Sequence, residues 1–144
     1  MAITSNINHS IKFIQANLHH AKGASAVLCK RFAQSKLDIA FIQEPWSYNG
    51  KILGLDIKSC KLIYDETQQS PRCAIVTSKK INIMPITEFI KRDIVAVAIQ
   101  ISTTRGKTEI YIASAYFPGD IDEAPPPEVS AFVPFSKIRT KHSS

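Results

Sequence analysis

Three polar side chains occupy equivalent places in the chain. Asn17 closes the run FIQAN, Glu44 closes IAFIQE and Tyr116 closes IYIASAY, each just past the end of an apolar segment. A carboxylate held at the end of a rigid strand suits a hard dication such as Mg²⁺, which takes oxygen ligands. An amide such as Asn17 can orient a phosphate or support a second ligand, and a phenol such as Tyr116 can donate to a phosphate oxygen. The three together would suit metal-assisted chemistry on a phosphate ester. A Glu before Pro at a strand end also serves as a solvated turn residue, and a Tyr there as a half-buried rim residue. The residue types alone leave both readings open.

The surrounding elements decide whether the three can meet. Ile11–Ala16 reads as a short strand. His20–Lys36 carries Ala24, Val27, Leu28 and Phe32 at helical spacing, with Lys22, Lys30 and Arg31 on the wetter side. Asp38–Gln43 is nearly all apolar and reads as a strand buried on both faces. A strand–helix–strand unit favours a parallel pair, which brings the ends bearing Asn17 and Glu44 to one edge of a sheet. Ser47–Gly54 reads as a turn-rich loop. Lys61–Tyr64, Arg72–Thr77 and Ile81–Ile86 read as short strands. Asp93–Ser102 and Lys107–Tyr116 form a hairpin turning at Thr103–Gly106. Val95, Val97, Ile99 and Ile101 lie on one face of its first strand, and Ile94, Ala96 and Ala98 on the other. A short helix starts at Glu128 and is cut off after Val133 by Pro134.

The formal net charge is +6 over 144 residues. The excess fits a polyanionic partner, since Lys and Arg displace counterions condensed on phosphate. Its densest part runs from Lys58 to Arg92, where Lys58, Lys61, Arg72, Lys79, Lys80, Lys91 and Arg92 face only Asp65, Glu66 and Glu88. Cys29, Cys60 and Cys73 are odd in number and lack zinc-knuckle spacing, so reduced thiols in an intracellular protein are expected, with no disulfide-linked partner. The first ten residues are polar, unlike a signal peptide, and read as a disordered leader. No apolar run reaches membrane-span length, so no membrane partner is expected. Nothing in the sequence sets the oligomeric state.

The strings QANL (Gln15–Leu18), DIAFIQEPW (Asp38–Trp46) followed by Gly50 and Gly54, and SAYFPGD (Ser114–Asp120) resemble the endonuclease domain of non-LTR retrotransposons. That domain belongs to the endonuclease/exonuclease/phosphatase superfamily, with the DNase I-like fold. The resemblance covers roughly residues 11–133, after which 134–144 reads as an unrelated basic tail. It implies an α+β fold, the first half of a four-layer α/β/β/α sandwich, left incomplete. It implies DNA as partner, Mg²⁺ as cofactor, and a nuclear location if the protein functions. Asn17 would help bind metal and scissile phosphate, Glu44 would coordinate Mg²⁺, and Tyr116 would contact the phosphate. These are the expected catalytic residues, with Glu44 and Asn17 as metal ligands and Arg72, Lys79, Lys80 and Tyr116 facing nucleic acid. Some members carry an Asp two residues after the Asn. Here His19 stands there, and His19 and His20 read as solvated residues at the helix start.

The superfamily's later motifs, a G-D-x-N that positions the attacking water and an S-D-H that supplies the general base, do not follow. The late histidine, His142, has no Asp beside it. Loss of a general base alone costs about 10²–10⁴ in rate. The expectation is therefore an amino-terminal fragment of a DNA-nicking hydrolase with little activity alone, its metal weakly bound. The alternative is a non-catalytic nucleic-acid-binding remnant that uses Lys58–Arg92 and the tail. A small-ester exonuclease or phosphatase shares the fold, but EPW and YFPGD argue against it by resemblance. The superfamily packs two sheets face to face, the second drawn largely from its later half, so its absence here would leave open strand edges and an uncovered apolar face, and a product prone to aggregate.

Overall fold

The computed structural model describes residues 11–117 together with Phe132. The leader 1–10, the tail 134–144 and, apart from Phe132, the helix expected at Glu128–Val133 lie outside the described residues. β1 (Phe13–Asn17) passes through a short turn into α1 (Lys22–Gln34), which returns to β2 (Ile39–Gln43). β1 and β2 pair in parallel, with Asn17 opposite Gln43, the arrangement that a helical crossover permits. β3 (Ser47–Tyr48) and β4 (Lys51–Ile52) make a small hairpin. β5 (Cys60–Ile63) and β6 (Cys73–Ser78) follow. β7 (Ile83–Ile90), β8 (Ile94–Thr103) and β9 (Gly106–Ala115) complete the described strands.

Two sheets carry the fold. The first has the order β1-β2-β6-β5 and the second β7-β8-β9. β2 is buried at every position, because α1 covers one face and the second sheet the other. Ala40 and Ile42 meet Leu28 and Phe32 of α1, together with Ala74 and Val76 of β6. Ile39 and Phe41 point the other way, into a layer shared with Cys73, Ile75, Val95, Val97 and Ile99. The outer face of the second sheet packs Ile94 and Ala96 with Phe89 and Phe132. The Phe89 and Phe132 rings meet edge to face, 5.4 Å between centroids. The order is helix, sheet, sheet, with Phe132 packed on the far side. This is the expected α+β sandwich.

Local readings needed small corrections. The helix starts at Lys22 rather than His20, because His19 and His20 take left-handed φ angles of 49° and 57°. Its buried stripe is Ser25, Leu28 and Phe32. Val27 is exposed: it lies about 100° around the helix from Leu28, off the packed face. Ser25 is tolerated inside because its hydroxyl donates to the Ala21 carbonyl at 3.1 Å. The loop at Ser47–Gly54 holds an Asn–Gly hairpin. Asn49 and Gly50 both have positive φ, 50° and 78°, as a type I′ turn requires. A Cβ on Gly50 would come within 2.7 Å of the Gln68 carbonyl oxygen. β7 runs to Ile90, beyond the expected Ile86, across a register irregularity between Pro85 and Ile90.

β1 and β9 are edge strands of their sheets. Between them runs an apolar groove of about 220 Å³ lined by residues that include Ile11, Phe13, Phe41, Ile110 and Ile112. Phe13 remains 66% exposed at its mouth. The expectation that the second sheet would be lacking is corrected here: β7, β8 and β9 form one, and it covers the inner face of β2.

A buried polar bridge crosses the interior of the sandwich. The Gln43 amide donates to the Ser114 hydroxyl at 2.9 Å, and that hydroxyl donates to the Ile42 carbonyl at 3.0 Å. Both side chains are buried. Ser114→Ala would leave a buried amide hydrogen and a carbonyl without this partner, at a cost of about 1–3 kcal/mol. Equilibrium urea unfolding should show a lower midpoint at unchanged slope; an unmoved midpoint would contradict the assignment.

Candidate active site

The C-terminal ends of β1, β2 and β9 and the N-terminal ends of β6 and β8 share one edge of the sandwich. The registers fix this: Asn17 opposes Gln43, Gln43 opposes Cys73, and Ile94 opposes Ala115. Asn17, Glu44 and Tyr116 therefore all lie along that edge, as their positions in the sequence led us to expect.

The backbone there is strained and held. Glu44 has φ of 49°, as does His19, a left-handed conformation that costs roughly 1–2 kcal/mol for a residue with a Cβ. Hydrogen bonds fix it. Glu44 N–H donates to the Arg72 carbonyl, His20 N–H to the Glu44 carbonyl and Leu18 N–H to the Gln43 carbonyl, each at 2.9 Å. The Asn17 side-chain oxygen accepts the His19 N–H at 2.9 Å and closes the turn that follows β1. Pro45, fully buried, takes the chain out of the sheet.

Two charged residues join the sheets. Arg72 donates twice to Asp93, Nε and Nη2 each 2.6 Å from a carboxylate oxygen. The pair is partly buried, with 25% and 18% of the two side chains exposed. The guanidinium also lies over the Tyr116 ring, 4.5 Å from its centroid, a cation–π contact. The hydrogen bond to Asp93 raises the Arg72 pKa further. Backbone bonds reinforce the clamp: Arg72 N–H donates to the Arg92 carbonyl at 3.0 Å, and Tyr116 N–H to the Asp93 carbonyl at 2.9 Å. Beneath it, burial together with the Asp93 charge pushes the Cys73 thiol up to about 12. All three cysteines are free.

Asp93 is thus committed to Arg72, and among the described residues of this edge Glu44 is the carboxylate left for a ligand. Its side chain is 19% exposed, and its contact is the His19 ring, with Nδ1 3.4 Å from Oε2. A partly buried carboxylate without hydrogen-bond donors locked onto it fits a cation, and Asn17 ends the neighbouring strand β1 opposite Gln43. Among the described residues no group of three His, Cys, Asp or Glu comes together, so water and phosphate oxygens would have to complete the coordination of a hard dication.

The expected nucleic-acid contacts divide. Arg72 and Tyr116 belong to the edge. Lys79 and Lys80 follow the far end of β6, roughly 20 Å away at about 3.3 Å per residue. The β7–β8 turn brings Lys91 and Arg92, both exposed, to the Glu44 edge instead. Lys91 and Arg92 were expected only as part of the basic stretch Lys58–Arg92 and Asp93 only as the start of a strand; that they reach this edge was not read from the sequence. His19 and His20 are exposed but not merely solvated: the His20 Nδ1 lies 3.2 Å from the Pro45 carbonyl.

No protein-family model and no curated protein matches the chain. Solved structures do. The endonuclease domain of TRAS1, a telomere-specific non-LTR retrotransposon, superposes with a TM-score of 0.64 at 24% identity, covering 92% of this chain and 54% of that one. An endonuclease/exonuclease/phosphatase family protein from Leptotrichia buccalis C-1013-b gives 0.53 at 13% identity, covering 87% and 61%. The chain shares the fold of these proteins and spans a little over half the length of each.

Asp93→Ala would strand the Arg72 charge in a partly buried place. Breaking a fully buried pair costs about 3–5 kcal/mol; solvent reaching this one should reduce that to about 1–3 kcal/mol. The Arg72→Ala/Asp93→Ala double variant should lose less stability than the sum of the singles. Strict additivity in chemical denaturation would rule out the clamp.

Proposed function

We propose that this edge is the metal- and phosphate-binding part of a DNA endonuclease that hydrolyses phosphodiesters to nick target DNA, as in retrotransposition. The observation that carries the reading is the convergence of Asn17, Glu44 and Tyr116 on one edge, with Glu44 uncommitted while Asp93 is neutralised. The fold shared with the TRAS1 endonuclease domain supports it.

The residues divide the work by chemistry. Glu44 would hold a divalent cation such as Mg²⁺, with Asn17 orienting the cation's outer ligands or a phosphate oxygen. The cation would supply charge neutralisation at the phosphate. The Tyr116 hydroxyl would donate to a phosphate oxygen, its ring fixed by the Arg72 guanidinium. Lys91 and Arg92 would attract the backbone of the duplex, and a DNA substrate would place the working protein in the nucleus. One carboxylate gives weak Mg²⁺ affinity, and the edge residues described here include no His–Asp pair to activate water. Nicking by this chain alone should accordingly be slow.

A supercoiled-plasmid assay in Mg²⁺ tests this beside a salt titration of DNA binding. We expect slow nicking that Glu44→Ala reduces at least about 10²-fold, and binding that weakens steeply with salt. Binding without any nicking would favour a non-catalytic nucleic-acid-binding role. Nicking unaffected by Glu44→Ala would remove Glu44 from the site.

A further inference from the structure

His19 is the least explained group on the edge. Its left-handed backbone is held by the Asn17 side chain, and its ring, largely exposed, brings Nδ1 toward Glu44. His20, its neighbour, is turned away and lies against the Pro45 carbonyl. The separation between His19 Nδ1 and Glu44 Oε2 is 3.4 Å. Imidazole and carboxylate ligands about 2.0–2.1 Å from one tetrahedral metal would stand roughly 3.3 Å apart. The two groups are therefore spaced as a chelating pair.

We infer that His19 and Glu44 together bind one cation, and that the imidazole makes this edge prefer a first-row transition dication over Mg²⁺. The inference rests on the proposed role of Glu44 and adds the identity of the metal. Imidazole suits Zn²⁺, Co²⁺ and similar ions, whereas Mg²⁺ takes oxygen ligands and releases water reluctantly. His19 is mostly exposed, with 78% of its side chain open to solvent, so positions remain for water or a phosphate oxygen. Asn17 then positions His19 through its backbone, in addition to any contact of its own with phosphate.

Co²⁺ and Mg²⁺ titrations of the whole chain test this without reference to catalysis. Co²⁺ affinity should fall at least about tenfold in His19→Ala, while Mg²⁺ affinity stays as in the parent. The paramagnetically shifted imidazole resonances of the Co²⁺ form should vanish in His19→Ala and persist in His20→Ala. Thermal unfolding without metal should be the same for all variants, excluding a folding defect. Unchanged Co²⁺ affinity in His19→Ala, or an equal loss of both metals, would overturn the inference. If Glu44→Gln also binds both metals like the parent, the proposed function falls with it; if Glu44→Gln loses metal and His19→Ala does not, only the role of His19 falls.

Discussion

The edge depends on how the two sheets are joined at one end. Apolar packing between Ile39, Phe41 and Ile75 on one side and Val95, Val97 and Ile99 on the other brings the sheets together, but such contacts are non-directional. Direction comes from polar links. Gln43 reaches Ser114 across the interior, and Arg72 grips Asp93 with two short bonds at the rim. Both links end on residues adjoining the proposed site. Arg72 gives its carbonyl to Glu44 on one sheet and its guanidinium to the Tyr116 ring on the other. That bridge ties the strand end that bears the carboxylate to the strand end that bears the phenol.

The same clamp governs the electrostatics. A basic chain could have set a cation beside every carboxylate on this edge, leaving none for a metal. Instead Arg72 satisfies Asp93, while among the described residues Glu44 meets the His19 ring. The left-handed backbone at His19 and Glu44 costs local stability, and backbone bonds from neighbouring strands maintain it. Strain maintained by surrounding structure at a polar edge is consistent with a site whose geometry matters.

The apolar patterns in the sequence reveal most of the architecture. The run DIAFIQ announced a doubly buried strand, and VAVAIQI alternates between the inter-sheet core and the outer face where Phe89 packs. The three strand-end residues were legible for the same reason: polarity at the end of an apolar run has a place but no cost of burial. Pairings between distant segments were not legible. Nothing local in SPRC or KRD says that Arg72 and Asp93 meet, because their partnership depends on two sheets stacking. The position of Lys79 and Lys80 escaped for a related reason: charge density along a chain carries no information about which end of a strand it reaches. The Asn49–Gly50 hairpin was present as a dipeptide signal but obscured by strands of only two residues each.

The central claim is that the edge bearing Asn17, Glu44 and Tyr116 is where metal and DNA phosphate meet this chain. Residue-resolved NMR during addition of a divalent cation and then a short DNA duplex measures it most directly. Amide shifts should concentrate at residues 17–20, 43, 44, 46, 91–93 and 116, with little change at Lys79 and Lys80. Shifts centred on Lys79 and Lys80, or a cation that leaves Glu44 undisturbed, would contradict it.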